Sequence, residues 1–215
     1  FISLVRSQLP AMAAWVEFCY GNQPHLWWGS ESIPSCMGVQ QGDPLGPLLF
    51  SLVLHSLVRD IKSSFPDLIL NVWYLDDGTL VGKKEDVARA LELISLKGPE
   101  LGLNLNLGKC ELYWPSVSDW SMFPPEITRL GPSGVELLGA PLGSPEFASA
   151  LLSKRLDKIQ DALDRLQDLD DPQVELALLR SCLSFPKFGF SLRTCPSFKI
   201  GEVMDRFDRA VAASL

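Results

Sequence analysis

The feature that most constrains the fold is a short segment in which two adjacent acids lie between two runs of β-forming residues. Residues 69–75 are rich in aliphatic and aromatic side chains, which favours a strand, and residues 79–81 favour a second strand. Between them lies Asp76-Asp77-Gly78, and Asp-Gly is a favoured two-residue hairpin turn. The sequence therefore predicts an antiparallel hairpin with two carboxylates at its tip.

Helical periodicity surrounds this hairpin. Residues 1–20 carry apolar side chains at intervals of three and four, and so does the stretch that begins at Leu48. A further helix is predicted over residues 85–100. Residues 25–37 favour a second hairpin, residues 116–129 an irregular loop and residues 135–142 another strand. The fold class predicted for the region up to Ser144 is therefore α+β.

The pattern changes after Pro145. Apolar residues then alternate four and three apart along one helical face, at Leu152, Leu156, Ile159, Leu163 and Leu166. Two more helical stretches are predicted near residues 172–183 and 199–215. We therefore expect two regions, a mixed α/β region over 1–144 and an all-α region over 145–215.

Charge and cysteine content exclude several classes of protein. Nineteen basic and twenty-six acidic residues give a net charge of −7, which excludes a protein that binds nucleic acid through its bulk positive charge. Five scattered cysteines and two histidines do not compose a zinc site. No stretch has the length and apolar character of a membrane span or a secretory signal. We expect an intracellular protein that is not secreted; its oligomeric state is left open.

The adjacent acids Asp76 and Asp77 are candidates for metal binding. Two carboxylates this close repel each other, and a divalent cation would compensate their charge. Magnesium characteristically binds one or two carboxylates together with substrate phosphates. The alternative interpretation is a solvated turn, since many Asp-Gly corners have no function beyond the turn itself.

A second candidate site is the segment of residues 38–50, GVQQGDPLGPLLF. Its glycines allow a ligand to approach the backbone closely, and free amides near a helix start attract phosphate. The amides of Gln40 and Gln41 suit base edges or sugar hydroxyls. A loop followed by a helix cap would explain the glycines, prolines and Asp43, because aspartate is a preferred capping residue.

Four sequence blocks together resemble the reverse transcriptase domain of retrotransposons that lack long terminal repeats. The segment 38–50 resembles motif B of that family, and YLDD at 74–77 resembles motif C. GLNLNLGKCEL at 102–112 is similar to motif D, and ELLGAPLG at 136–143 is similar to the strand pair that grips the primer. The blocks occur in the order of the family. Group II intron enzymes remain possible relatives.

The resemblance implies a fold and an activity. The fold would be a polymerase palm, an antiparallel sheet backed by helices, followed by a thumb-like helical region. The activity would be RNA-directed DNA polymerisation, with an RNA template, a DNA primer and deoxynucleoside triphosphates as partners and no membrane. Two magnesium ions would be held, with Asp76 as a principal ligand and Asp77 as a lesser one. A nuclear location of this chain is likewise implied only by the resemblance.

Other site residues follow from the same resemblance. Gln40, Gln41 and Gly42 would line the floor beneath the template and the incoming nucleotide, and Tyr74 would lie under the primer end. Lys109 would lie near the leaving pyrophosphate, where a cation offsets developing charge. The primer grip would include Leu138 and Gly139. Trp27 and Trp28 are predicted as core residues of their hairpin, with base stacking as the alternative.

One departure from the family concerns its third metal-binding aspartate, which lies in motif A, upstream of motif B. No aspartate precedes Asp43 here, and Glu17 and Glu31 lie in the wrong surroundings. We therefore expect a fragment that begins beyond motif A, lacks the fingers and is inactive alone. The region 145–215 also holds ten basic and eleven acidic residues, so it is not the positive surface that a thumb gripping a duplex needs.

Two other functions fit the same residues. One is a non-catalytic remnant, kept as a nucleic-acid-binding or structural module. The other is an RNA-directed RNA polymerase, which shares the palm and an acidic hairpin. Those enzymes usually carry Gly-Asp-Asp at the tip, whereas Leu75 precedes the acids here.

Overall fold

The structure is a computed structural model that describes residues 1–22, 25–116, 119–196, 198 and 200–214. The chain is a mixed α and β protein and divides into two compact units. The first unit comprises Phe1–Leu107 with Ser121–Pro124, and the second comprises Gly108–Trp120 with Pro125–Leu215. The predicted regions 1–144 and 145–215, and their assignment as palm and thumb-like regions, stay a prediction. None of the described helices is both long and apolar enough to cross a membrane.

The first unit begins with two helices where the sequence pattern predicts one. Helix α1 spans Ile2–Gln8 and α2 spans Pro10–Tyr20. Leu9 between them is not helical, and Pro10 starts the new helix, where its missing N–H costs nothing. Val5 and Val16 from these helices are fully buried against Leu49.

The predicted N-terminal hairpin is present. Strand β1 (His25–Trp28) pairs antiparallel with β2 (Glu31–Pro34), and Gly29 in the turn has a φ of 62°. Trp27 and Trp28 are 74% and 82% exposed, so the prediction that they are core residues is wrong. Both faces of this two-stranded hairpin are open to solvent, which leaves no core for them. Gln23 and Pro24, at the end of the predicted break 21–24, lie outside the described residues.

Two helices and a hairpin form the main core of the first unit. Helix α3 spans Gly46–Ser64 and α4 spans Lys84–Lys97. Gly98 follows α4, as the stop signal predicted. The buried residues of this core are Leu54, Leu57, Ile61, Phe65, Ala90 and Ile94.

The acidic hairpin packs on that core through one of its faces. Strand β3 (Leu70–Tyr74) pairs antiparallel with β4 (Asp77–Val81). Trp73 and Leu80 contact the core, whereas Val72 and Tyr74 point to the other side and are exposed. This alternation is the two-residue period of a strand.

The second unit contains short strands that the sequence pattern describes only in part. Strand β5 (Glu111–Leu112) pairs in parallel with β6 (Thr128–Arg129), so the predicted irregular loop 116–129 ends in a strand. Val117 and Ser118 of that loop lie outside the described residues. The stretch 135–142, predicted as one strand from its pattern and as a strand pair from the resemblance, is a hairpin of β7 (Gly134–Leu137) and β8 (Ala140–Gly143).

Helices complete the second unit. They are α5 (Pro145–Leu166), α6 (Pro172–Leu178), α7 (Phe185–Thr194) and α8 (Gly201–Ala213). The predicted stretch 172–183 is α6 followed by a π-helical turn, Leu179–Leu183, and α7 was not predicted. The predicted stretch 199–215 corresponds to α8, and its end residues Lys199 and Leu215 lie outside the described residues.

The predicted apolar face of α5 forms the core of the second unit. Leu152, Leu156 and Leu163 are at most 2% exposed, and they pack with residues of α7 and α8. Phe188 and Phe207 stack there with ring centroids 4.8 Å apart. Asp171 caps α6 by accepting hydrogen bonds from the backbone N–H groups of Gln173 and Val174.

We expect Leu163→Ala to lower the free energy of unfolding by about 2–5 kcal/mol, because Leu163 is fully buried and the truncation leaves a cavity. Urea denaturation followed by circular dichroism measures this change. Lys158→Ala, an exposed position on the same helix, is the control and should change stability little. Equal losses in the two variants would contradict the described core.

Candidate functional site

The acidic hairpin turns at Leu75 and Asp76. Tyr74 lies opposite Asp77 in the strand register, so Asp77 and Gly78 already belong to β4. The predicted turn at Asp76-Asp77-Gly78 is therefore displaced by one residue. Leu75 has a φ of 55°, a conformation that costs a residue other than glycine roughly 1–3 kcal/mol and that clusters at functional sites.

The two carboxylates of this hairpin are open to solvent. Asp76 and Asp77 are both exposed, and within the described part of the chain neither carboxylate forms a hydrogen bond or an ion pair with another residue. Their mutual repulsion is therefore not compensated by a protein cation. Among the described residues no group of three or more His, Cys, Asp and Glu side chains could hold a metal ion. A pair of carboxylates fits magnesium that is also bound by substrate phosphates.

Helix α3 holds the hairpin through Asn71. The Asn71 side-chain amide donates a hydrogen bond of 3.2 Å to the carbonyl oxygen of Val58 in α3. The Trp73 indole N–H donates one of 2.9 Å to the Asn71 side-chain oxygen. The strand that leads to the acids is thus attached to α3, whose apolar face is buried, by a hydrogen bond as well as by packing.

Gly78 is required by close packing. It lies opposite Trp73, and a Cβ atom at this position would lie 2.5 Å from the Trp73 ring. Sequence reasoning assigned this glycine to the turn. The packing role was missed because it depends on a partner in the opposite strand.

Tyr74 is 67% exposed on the outer face of the hairpin. It is directly opposite Asp77, so both side chains lie on the same face. The alternative that Tyr74 is a core aromatic residue does not hold. Its ring is available to contact a ligand near the carboxylates.

The glycine-rich loop before α3 presents its side chains to solvent. Gly38 and Gly42 have φ values of 78° and 92°, which favour glycine. A Cβ at Gly42 would meet no atom within 4 Å, so conformation and not crowding requires glycine there. Gln41 is exposed and Gln40 is half-buried. The open space above Gly42 leaves the backbone accessible.

Asp43 fixes the end of this loop. Its carboxylate accepts hydrogen bonds from the Leu45 backbone N–H at 2.8 Å and from the Tyr20 hydroxyl. The Tyr20 oxygen in turn accepts a hydrogen bond of 3.3 Å from the Gln40 backbone N–H. Tyr20 therefore ties α2 to both ends of the segment 40–43, a role that sequence reasoning missed.

These contacts change the acidity of both groups. The hydrogen bond from Tyr20, and then that from the Leu45 N–H, hold the pKa of Asp43 below its ordinary value. Burial, together with the bond to Asp43, raises the pKa of Tyr20. Asp43 therefore holds the loop just before α3, whereas the N-cap of α3 itself is Leu45, without a side-chain capping bond.

The remaining predicted residues lie in the second unit. Lys109 ends a 3-10 turn, Leu107–Lys109, and is exposed with no partner in the part of the chain that is described. Leu138 and Gly139 form the two-residue turn between β7 and β8, with φ values of 47° and 84°. Positive φ at both positions is the geometry of a type I′ hairpin turn. Leu138 is 53% exposed at this tip.

The described structure thus groups the predicted residues by unit. Asp76, Asp77 and Tyr74 meet at one hairpin of the first unit, and residues 40–42 form one loop of the same unit. Lys109 and the turn at Leu138 belong to the second unit. The site defined so far is a pair of exposed carboxylates at the tip of a hairpin, with an exposed tyrosine beside them.

Comparison with known proteins identifies the family. A family model described as "Reverse transcriptase (RNA-dependent DNA polymerase)" matches residues 3–142. The chain belongs to the reverse transcriptase family, and the resemblance found from the four sequence blocks is confirmed. The match includes the acidic hairpin, the glycine-rich loop, Lys109 and the turn at Leu138 and Gly139.

Two curated relatives are retrotransposon proteins. The chain is 33% identical over 93 residues to the "Retrovirus-related Pol polyprotein from type-2 retrotransposable element R2DM" of Drosophila melanogaster, covering 39% of this chain and 8% of that protein. It is 32% identical over 92 residues to the "Retrotransposable element SLACS 132 kDa protein" of Trypanosoma brucei gambiense, covering 43% of this chain and 7% of that protein. The chain therefore matches less than a tenth of each relative. No solved structure matches the chain.

We expect Gly78→Ala to lower the free energy of unfolding by about 1–3 kcal/mol, because the added methyl group overlaps the Trp73 ring. Chemical denaturation measures the loss, and a shift in tryptophan emission reports the displaced ring. Gly131→Ala is the control, since a Cβ at Gly131 would meet no atom within 4 Å. No difference between the two variants would argue against the described strand register.

We expect the stabilising effect of Asp43 to depend on pH. Its pKa is lower in the folded chain than its ordinary value of 3.8, so the contribution is present above that value and is lost as the pH falls through the lowered pKa. The stability of wild type minus that of Asp43→Asn, measured by urea denaturation, should therefore shrink in acid. Tyr20→Phe removes the main cause of the shift and should flatten this dependence. A difference that stays constant at every pH would refute the assigned contacts.

Proposed function

We propose that this chain is part of an RNA-directed DNA polymerase that adds deoxynucleotides to a primer on an RNA template. The main support is the pair of exposed carboxylates of Asp76 and Asp77, which have no protein partner among the described residues. They lie at the strained tip of a hairpin, within the residues that the family model matches. Strain and uncompensated charge both lower stability, and a bound cation would offset the charge.

The two acids would hold magnesium in unequal roles. Asp76 lies in the turn itself and Asp77 is the first residue of β4, so the two side chains leave the backbone in different directions. We assign Asp76 as a principal ligand and Asp77 as the lesser one. In the complete domain two magnesium ions would stabilise the attacking and leaving oxygens of an in-line phosphoryl transfer.

The glycine-rich loop would bind the template and the incoming nucleotide. The Gln40 and Gln41 side-chain amides make no hydrogen bond to the rest of the described chain and offer both donors and acceptors to base edges or sugar hydroxyls. Gly42 leaves its backbone open to a ligand. Tyr74, exposed beside Asp77, would contact the primer end by stacking.

Residues of the second unit would complete the reaction. Lys109 would place a positive charge near the leaving pyrophosphate, where it offsets developing negative charge. Leu138 and Gly139 at the hairpin tip would contact the primer. An RNA-containing duplex would be bound through its shape and backbone more than through its sequence.

The proposed polymerase includes more than these 215 residues. The chain matches 8% and 7% of its two curated relatives, and no aspartate precedes Asp43 to serve as a third metal ligand. One acidic pair alone does not hold two ions in register. We therefore expect the isolated chain to be inactive. The family match favours a DNA product over the RNA product of the alternative polymerase.

In the parent polymerase that contains this chain, we expect Asp76→Asn to lower the rate of primer extension by roughly 10³-fold or more, because a metal ligand supplies several kcal/mol of transition-state stabilisation. Asp77→Asn should cost less. Extension of a labelled DNA primer on an RNA template measures both. Asp67→Asn, an exposed acid before β3, is the matched control and should retain full activity.

Two outcomes would contradict the proposal. The first is normal extension by the Asp76→Asn polymerase. The second is extension by the isolated chain, which would refute the need for a further acidic ligand. A parent protein that binds the template–primer but never extends it would support the non-catalytic remnant.

A further inference from the structure

Arg155 binds three separate elements of the second unit. Its guanidinium donates hydrogen bonds to the Glu136 carboxylate at 2.7 Å and to the Gly139 carbonyl oxygen at 2.5 Å. A third bond of 3.3 Å reaches the Ser191 hydroxyl. Arg155 lies on α5, Glu136 on β7 and Ser191 on α7, so one side chain connects the hairpin β7–β8 to two helices.

The chemistry of these contacts makes Arg155 hard to replace. The planar guanidinium fork supplies several donors in a fixed geometry, whereas lysine supplies a single charged nitrogen. Ser191 is only 3% exposed, so without Arg155 its hydroxyl loses a charged partner in a buried place. Glu136 and Arg155 also form an ion pair, in which the Arg155 side chain is 27% and the Glu136 side chain 47% exposed.

The hairpin needs such support because it is short. Strands β7 and β8 have four residues each, and a two-stranded hairpin of this length is marginal by itself. The Gly139 carbonyl lies in the turn, next to Leu138 at the exposed tip. The hydrogen bond from Arg155 therefore restrains the backbone of the turn itself, which sets the orientation of the Leu138 side chain.

We propose that Arg155 is a positioning residue that fixes the turn at Leu138 and Gly139 so that the tip engages the recessed end of a primer. This inference rests on the proposed polymerase function. Arg155 itself does not touch the reacting atoms. Its role is to hold the tip through the Gly139 carbonyl and the Glu136 carboxylate, with Ser191 holding the guanidinium in place.

The test uses the 215-residue chain and does not require polymerisation. Hydrogen exchange of the backbone amides within residues 135–142, which Pro141 lacks, reports the order of the hairpin. Anisotropy of a labelled RNA–DNA duplex, with either a recessed primer end or a blunt end, reports recognition of that end. The variants are Arg155→Ala, Arg155→Lys and Glu136→Gln, each with its melting temperature measured. Arg206→Ala is the matched control, because it removes one arginine and one ion pair, to Asp157, away from the hairpin.

We expect Arg155→Ala to speed exchange in residues 135–142 by about tenfold or more, since hydrogen bonds to a charged donor are lost. It should also remove the preference for the recessed duplex and leave blunt-end binding unchanged. Arg155→Lys and Glu136→Gln, which keep part of the contacts, should give intermediate effects at an unchanged fold. Arg206→Ala should retain both the exchange rates and the preference.

Each of the following outcomes contradicts a different part of the proposal. Unchanged exchange in Arg155→Ala means that Arg155 does not fix the turn. Faster exchange with an unchanged preference for the recessed duplex means that the fixed turn does not engage the primer end, while the polymerase proposal stands. A wild-type chain with no preference for the recessed duplex refutes the primer role of this hairpin. A parent polymerase that fails to extend primers refutes the proposed function separately.

Discussion

Electrostatic repulsion between two neighbouring carboxylates is the constraint that the acidic hairpin has to withstand. Asp76 lies in a two-residue turn with Leu75, which adopts a left-handed conformation, and Asp77 follows as the first residue of β4. No described residue compensates the charge of either carboxylate. Such a tip persists only when the strands below it are firmly held. The Trp73 ring over Gly78 and the hydrogen bonds of Asn71 supply that support.

Helix α3 is the element that relates the glycine-rich loop to the acidic hairpin. Its first turn carries Leu49 into the core with α1 and α2, and its later turns carry Leu57 and Ile61 into the core with β3 and α4. The loop ends where α3 begins, and Asn71 of the hairpin bonds to its middle at Val58. Both parts of the proposed site are therefore attached to one helix with a buried apolar face, as a site on rigid elements requires.

Local patterns in the sequence predicted much of this organisation. The apolar face of α5, the hairpin at residues 25–37 and the acidic hairpin all follow from periodicity and from turn residues. The four motif blocks predicted the family, which the family match confirms. Individual roles of the site residues stay predictions, because they depend on nucleic acid and metal ions.

The features that were missed depend on partners far away in the chain. Tyr20 bonds to Asp43, 23 positions later, and Arg155 bonds to Ser191, 36 positions later. No periodicity encodes such pairs. The exposure of Trp27 and Trp28, and the one-residue shift of the acidic turn, likewise follow from packing that single segments do not reveal.

The most direct test of the central claim is a titration of the isotope-labelled chain with Mn²⁺, a paramagnetic substitute for magnesium, followed by nuclear magnetic resonance. Binding at the acidic turn predicts that the amide signals of residues 74–78 broaden first and that Asp76→Asn abolishes this broadening. Equal broadening at other exposed acids, such as Asp170 and Asp171, together with no effect of Asp76→Asn, would contradict the account.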